Sequence, residues 1–137
     1  LAVNIYSGCE HGCQYCYAPK CLHVNKESFH NSPKWRENVL ELLEKDLNKM
    51  WMNGDRRKVL LCFTTDPYQG TEEFNILTRK CLILFVKYGV PFQILTKGGM
   101  KAAMDFDLYS KNDSLVPRTP LNNANQLGAF LFSRIYL

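Results

Sequence analysis

The sequence predicts an α/β fold built on a parallel sheet. Three observations carry this: short apolar runs at residues 2–6, 59–63 and 92–96, two long stretches of helical periodicity between them, and glycines where those helices should stop. Strands alternating with helices of that length need crossover connections, and a crossover makes neighbouring strands parallel.

The run from Ala2 to Tyr6 is partly β-branched and aromatic and reads as the first strand. It leads into a loop carrying Cys9, Cys13 and Cys16. After a polar stretch to Asn31, Ser32 and Pro33 supply an N-cap residue and a proline at the first helical position, so a helix is expected to start there. Trp35, Val39, Leu42, Leu43, Leu47, Met50 and Trp51 recur at helical spacing, and Gly54 marks the stop. Val59 to Phe63 is a continuous apolar run, the pattern of a strand buried on both faces. Thr71 is expected to cap a second helix with Phe74, Leu77, Cys81, Leu84, Phe85 and Tyr88 on one stripe and Gly89 at its end. Phe92 to Thr96 gives a third strand, followed by Lys97-Gly98-Gly99 and a helix from Met100 to about Tyr109. Proline and asparagine make a loop of the segment after Asn112-Asp113-Ser114, and residues 129–137 read as one more strand or an exposed apolar tail.

A doubly wound sheet and a barrel both start this way, and in either the functional loops lie beyond the C-terminal ends of the strands. The cysteine loop, Thr64-Thr65-Asp66 and Lys97-Gly98-Gly99 all occupy that position, so one rim should gather them.

With 137 residues, 46% hydrophobic and 12% aromatic, the chain has the content of one folded domain, which excludes a disordered protein. A net charge of +4 permits a nucleic-acid partner without demanding one. The longest basic cluster, Arg56-Arg57-Lys58, falls between a helix and a strand, where a solvated turn explains it. No signal peptide or long apolar segment accompanies the six cysteines, so a cytoplasmic, reducing setting and no membrane are expected rather than a disulfide framework. The chain opens on Leu1 with strand-like residues, and sequence is expected upstream of it.

Cys9, Cys13 and Cys16 are spaced C-x3-C-x2-C. A closed zinc site takes four protein ligands, whereas three leave a metal position open for a substrate. Three thiolates can equally hold three irons of a cubane and leave the fourth free. Gly8 and Gly12 would let the backbone wrap closely around such a group. Zinc on these cysteines with Cys21, His11 or His23 is the alternative, although zinc sites usually pair two knuckles across a longer spacer.

The run from Asn4 to Ala18, with Tyr15 at the aromatic position of C-x3-C-x-aromatic-C, resembles the radical S-adenosylmethionine enzymes, and more narrowly their spore photoproduct lyase-like, or DNA repair photolyase-like, branch. The resemblance covers residues 1–113, leaving 114–137 as an unassigned tail. It implies the N-terminal part of a partial (β/α)6 TIM-like barrel, of which three β-α units are present. It also implies a 4Fe-4S cluster on Cys9, Cys13 and Cys16, and S-adenosyl-L-methionine as second cofactor. Thr64, Thr65 and Asp66 match the polar motif that holds the cofactor's amino group, and Lys97 matches a lysine that pairs with its carboxylate. The implied activity is generation of a 5′-deoxyadenosyl radical, with a nucleic acid as substrate class and a flavodoxin or ferredoxin as electron donor. Cys62 invites comparison with a hydrogen-donating cysteine of that branch, but Phe63 intervenes before Thr64, and a buried free thiol is the better reading. For Asp66 the alternative is a turn residue before Pro67, and for Lys97 a snorkelling surface lysine. A fragment that binds iron–sulfur or zinc without catalysis is the competing function.

Overall fold

The computed structural model describes residues 1–115 and the strand Ile135–Tyr136. The chain runs β1 (Ala2–Val3), β2 (Tyr6–Ser7), α1 (Ala18–Cys21), α2 (Lys26–Asn31), β3 (Lys34–Trp35), α3 (Val39–Met52), β4 (Val59–Leu61), α4 (Glu72–Lys87), β5 (Phe92–Leu95), α5 (Met100–Ala103), α6 (Phe106–Leu115) and β6 (Ile135–Tyr136). No helix among the described residues is long and apolar enough to cross a membrane.

β1, β4, β5 and β6 form one sheet in that spatial order, and every pairing is parallel. Val3 stands beside Leu61, and Leu61 beside Ile94. The expected α/β architecture is therefore present. Val59, Leu61, Phe92 and Ile94 are buried, while Leu60, Gln93 and Leu95 between them are only half-buried. This corrects the expectation of a second strand buried on both faces: one face carries the core and the other is partly open.

α3 packs on α4, and α4 on α6, so successive crossover helices are neighbours in one layer. α3 inserts Leu43 and Leu47, one turn apart, and α4 inserts Phe74, Thr78, Cys81, Leu82 and Phe85. Each such aliphatic or aromatic side chain contributes about 1.5–3 kcal/mol by leaving water. Leu42 and Trp51, assigned to the apolar stripe from periodicity, are exposed. α4 closes where Gly89, at φ 61°, lets its own N–H reach Val86 O while Val90 N–H returns to Phe85 O. Thr71 sits at the N-cap position as expected but its side chain makes no capping bond.

The first strand is shorter than predicted. β1 ends at Val3, and Tyr6 and Ser7 instead pair antiparallel with Trp35 and Lys34 of β3. Ser32 and Pro33 therefore precede a strand, and the helix begins only at Val39, after Asn38 turns the chain at φ 54°. A proline disfavours helical geometry in the residue before it, which suits Ser32 to leaving α2 as well as to starting a helix. The strand reading prevails because it seats Trp35 5.5 Å from Phe74, whose ring also lies 5.0 Å from that of Tyr6. α2 falls in the stretch taken as polar loop; its signal was Asn25, whose side chain accepts the Ser28 N–H at 3.0 Å. The expected helix near 100–109 is two helices, α5 and α6, the second running through Asn112-Asp113-Ser114. Of the tail, Ile135–Tyr136 forms a strand beside β5, and residues 116–134 lie outside the described residues.

Candidate metal and cofactor site

The cysteine loop follows β2 and is pinned most firmly at Cys9. Gly8 adopts φ +87°, and a Cβ there would come within 2.7 Å of Phe29 O, so only glycine lets the loop approach α2 this closely. Cys9 N–H donates to Phe29 O at 3.0 Å, and His30 Nδ1 lies 2.6 Å from Cys9 O. Cys9, Ala18 and Phe29 form a small apolar cluster with Cys16 against it. Burial raises the Cys9 thiol above its ordinary value, while the backbone N–H groups of His11 and Asp66 at its sulfur pull the other way. Cys13 and Cys16 are half-buried, joined by a Cys16 N–H to Cys13 O bond of 3.0 Å. Cys21 is exposed at the end of α1.

The three rim segments meet, as their order implies. Asp66 is the tie. Its Oδ1 accepts from Thr96 Oγ1 at 2.6 Å and from Tyr68 N at 2.8 Å, and its Oδ2 accepts from Lys97 N at 2.5 Å. His11 Nε2, from the cysteine loop, stands 3.3 Å from the same Oδ2 without the alignment of a hydrogen bond. Buried by its neighbours, this carboxylate organises the loops after β4 and β5. Lys97 is exposed; its ammonium is hydrogen-bonded to the Tyr15 hydroxyl and lies 4.3 Å from the Tyr15 ring centre. Tyr15 and then Cys13 raise the Lys97 ammonium above its ordinary value, so a fixed positive charge stands beside the cysteine loop. Gly98 brings the β5 loop against the β4 loop, for a Cβ there would fall 2.4 Å from Tyr68 Cβ.

Thr64 Oγ1 and Thr64 N both donate to Asn4 Oδ1, at 3.1 and 3.0 Å. The hydroxyl proton is thereby committed and its lone pairs remain to accept a donor. Thr65 Oγ1 is buried without a hydrogen-bond partner. Cys62, at the end of β4, takes a left-handed φ of 61° and is buried, its thiol pushed up to about 12 by desolvation. That fits the buried free thiol expected of it, and Cys81 in α4 behaves the same way. Phe63 turns outward and pairs with Tyr17, whose hydroxyl donates to Phe63 O at 2.7 Å.

Sequence reasoning missed Asn4, His30 and Gln69. Gln69, fully buried, donates from Nε2 to Gly8 O at 3.1 Å and accepts Glu10 N–H at Oε1 at 2.8 Å. No local signal marks such a residue, because its partners lie some 60 positions away.

Three cysteines on one loop have the ligand chemistry that three corner irons of a cubane take, one thiolate each. No three His, Cys, Asp or Glu side chains among the described residues are grouped as ligands of one metal ion. Buried polar atoms without a hydrogen-bond partner on His11 and Thr65 suit a bound polar group.

No family model matches the chain, and no solved structure matches it. An uncharacterized protein of Mycobacterium tuberculosis is 35% identical over 120 residues, which is 84% of this chain and 34% of that protein. An uncharacterized protein of Methanocaldococcus jannaschii is 29% identical over 127 residues, 88% of this chain and 44% of that protein. The chain thus spans about a third of the length of its mycobacterial relative and under half of the archaeal one.

Proposed function

We propose that the chain is the N-terminal part of a radical S-adenosylmethionine enzyme of the spore photoproduct lyase-like branch. It would hold a 4Fe-4S cluster on Cys9, Cys13 and Cys16 beside a site for S-adenosylmethionine. The observation that carries this reading is the meeting of three strand-end loops, with the Lys97 ammonium held against Tyr15 of the cysteine loop. A sheet with neighbouring helices in one layer and half-open Leu60, Gln93 and Leu95 on its other face supports a partial barrel continued by further strand–helix units.

Each residue has a task that its surroundings favour. Lys97 pairs with the carboxylate of the cofactor's methionine, its reach limited by the Tyr15 ring. Thr64 accepts an ammonium N–H through the oxygen whose proton goes to Asn4, and Thr65 Oγ1 offers a second acceptor nearby in sequence. Tyr15 presents the face of its exposed ring to an adenine. Asp66 holds the Lys97 backbone and the Tyr68 turn in register, so it positions rather than reacts. When bound, the reduced cluster and S-adenosylmethionine would together supply a 5′-deoxyadenosyl radical, for which a nucleic-acid substrate, a flavodoxin or ferredoxin donor and a cytoplasmic setting complete the reading.

Anaerobic reconstitution with iron and sulfide, reduction, addition of S-adenosylmethionine and assay for 5′-deoxyadenosine test it. Product above a Cys16→Ala control is expected. An iron-loaded protein that forms none would leave a cluster-binding fragment, and a colourless protein that retains zinc would overturn the reading.

A further inference from the structure

We infer that Gln69 is a positioning residue that clamps the cysteine loop at Cys9, presenting that thiol before any metal arrives. The carboxamide spans the two neighbours of Cys9: Nε2–H donates to Gly8 O at 3.1 Å and Oε1 accepts Glu10 N–H at 2.8 Å. This is the two-bond pattern that a strand neighbour would supply, delivered by one side chain. Glu10 answers in kind, its carboxylate accepting Gly70 N–H and standing 4.0 Å from Lys101 Nζ, which donates to Gly70 O at 3.1 Å.

The geometry is costly to leave incomplete. Gln69 is fully buried, and a buried amide stripped of partners pays its full desolvation. Both of its polar atoms are satisfied by the loop alone, so the loop after β4 and the cysteine loop stay matched only while Cys9 holds its place. Phe29 O and His30 Nδ1 hold that residue from the other sides. Cys13 and Cys16 have no comparable clamp among the bonds described for them. Cys9 is thus the fixed ligand position and the other two thiols close on the group, a division of labour that rests on the proposed metal role of this loop. The clamp itself does not.

Pulsed alkylation of the reduced, metal-free chain with iodoacetamide, read cysteine by cysteine by peptide mass spectrometry, separates the two. In the wild type Cys9 should react more slowly than Cys13 and Cys16. In Gln69→Met, which keeps the side-chain length and removes both hydrogen bonds, Cys9 should react faster by about thirtyfold, the equivalent of about 2 kcal/mol for two bonds. Cys62 and Cys81, buried in the core, report global unfolding and should stay protected. Unchanged Cys9 reactivity with a protected core would overturn the clamp. Should Gln69→Met expose the core thiols as well, hydrogen exchange of the wild-type Glu10 amide decides: protection supports the clamp, and exchange at the rate of an open loop overturns it. Iron and sulfide loading, followed by visible absorbance, then tests the metal role. Weaker loading of a folded Gln69→Met is expected, and a wild type that takes up no iron would overturn the metal reading while leaving the alkylation result to judge the clamp.

Discussion

Lys97 is the residue whose removal separates binding of a small ligand from assembly of the loop. Its side chain is exposed and rests on Tyr15, so Lys97→Met should leave the fold intact. Loss of one charge-assisted contact is expected to weaken S-adenosylmethionine binding by about 10- to 100-fold while iron content stays at the wild-type level. Equilibrium binding beside iron and sulfide analysis checks this, and unchanged affinity would return Lys97 to an ordinary surface role. Thr64→Val takes away the acceptor and one of the two donors to Asn4 Oδ1 while the backbone N–H stays, so it should cost affinity with little loss of stability. At this scale the placement of Cys9, Cys13, Cys16, Asp66 and Lys97 in loops after strands was legible, because residue type and strand ends are written locally. That Asp66 faces Thr96, Tyr68 and Lys97 was not legible, since three inward donors depend on how two loops pack.

The loops themselves are held together by the absence of a side chain at Gly98. Gly98→Ala would drive a methyl into Tyr68 Cβ and Tyr68 O, at 2.4 and 2.7 Å, and the β5 loop must then lift from the β4 loop. A loss of about 1–3 kcal/mol is expected, with S-adenosylmethionine binding reduced as Lys97 moves with its loop. Leu47→Ala in α3 supplies the contrast: it should cost about 2–5 kcal/mol by opening a cavity, yet leave the rim geometry alone. Urea midpoints and ligand binding measured on both variants distinguish the two. Long elements such as α4 were readable from an apolar stripe and Gly89, because many contacts repeat one period. β2 and β3 were not, since two residues carry no period and the pairing of Tyr6 with Trp35 is a tertiary choice. Ser32-Pro33 suited both a helix start and a turn into a strand, and the aromatic contact with Phe74 decided between them.

Across the whole molecule, the buried thiols tie stability to alkaline pH. Cys62 and Cys81 are raised from 9.0 to about 12 by desolvation, so the folded chain keeps protons that the unfolded chain releases. Their contribution is complete below pH 9 and declines as pH climbs toward 12. Urea midpoints should fall between about pH 8 and about pH 10, and more shallowly in Cys81→Ala, whose own cavity lowers the curve at both values. An equal slope in the two proteins would remove Cys81 from the account. The α/β order and the gathering of loops followed from the alternation of strands and helices, which topology converts into one rim. What topology did not convey is the ribbon of β2 and β3, and that ribbon gives the molecule an optical signal of its own. Trp35, itself partly exposed, lies on the strand paired with the residues that enter the cysteine loop, 5.5 Å from Phe74, whereas Trp51 sits at the far end of α3. With Trp51 replaced by phenylalanine, the remaining indole becomes a fluorescent witness to the loop's support, its emission set to shift when the ribbon opens and to dim when a coloured group settles nearby.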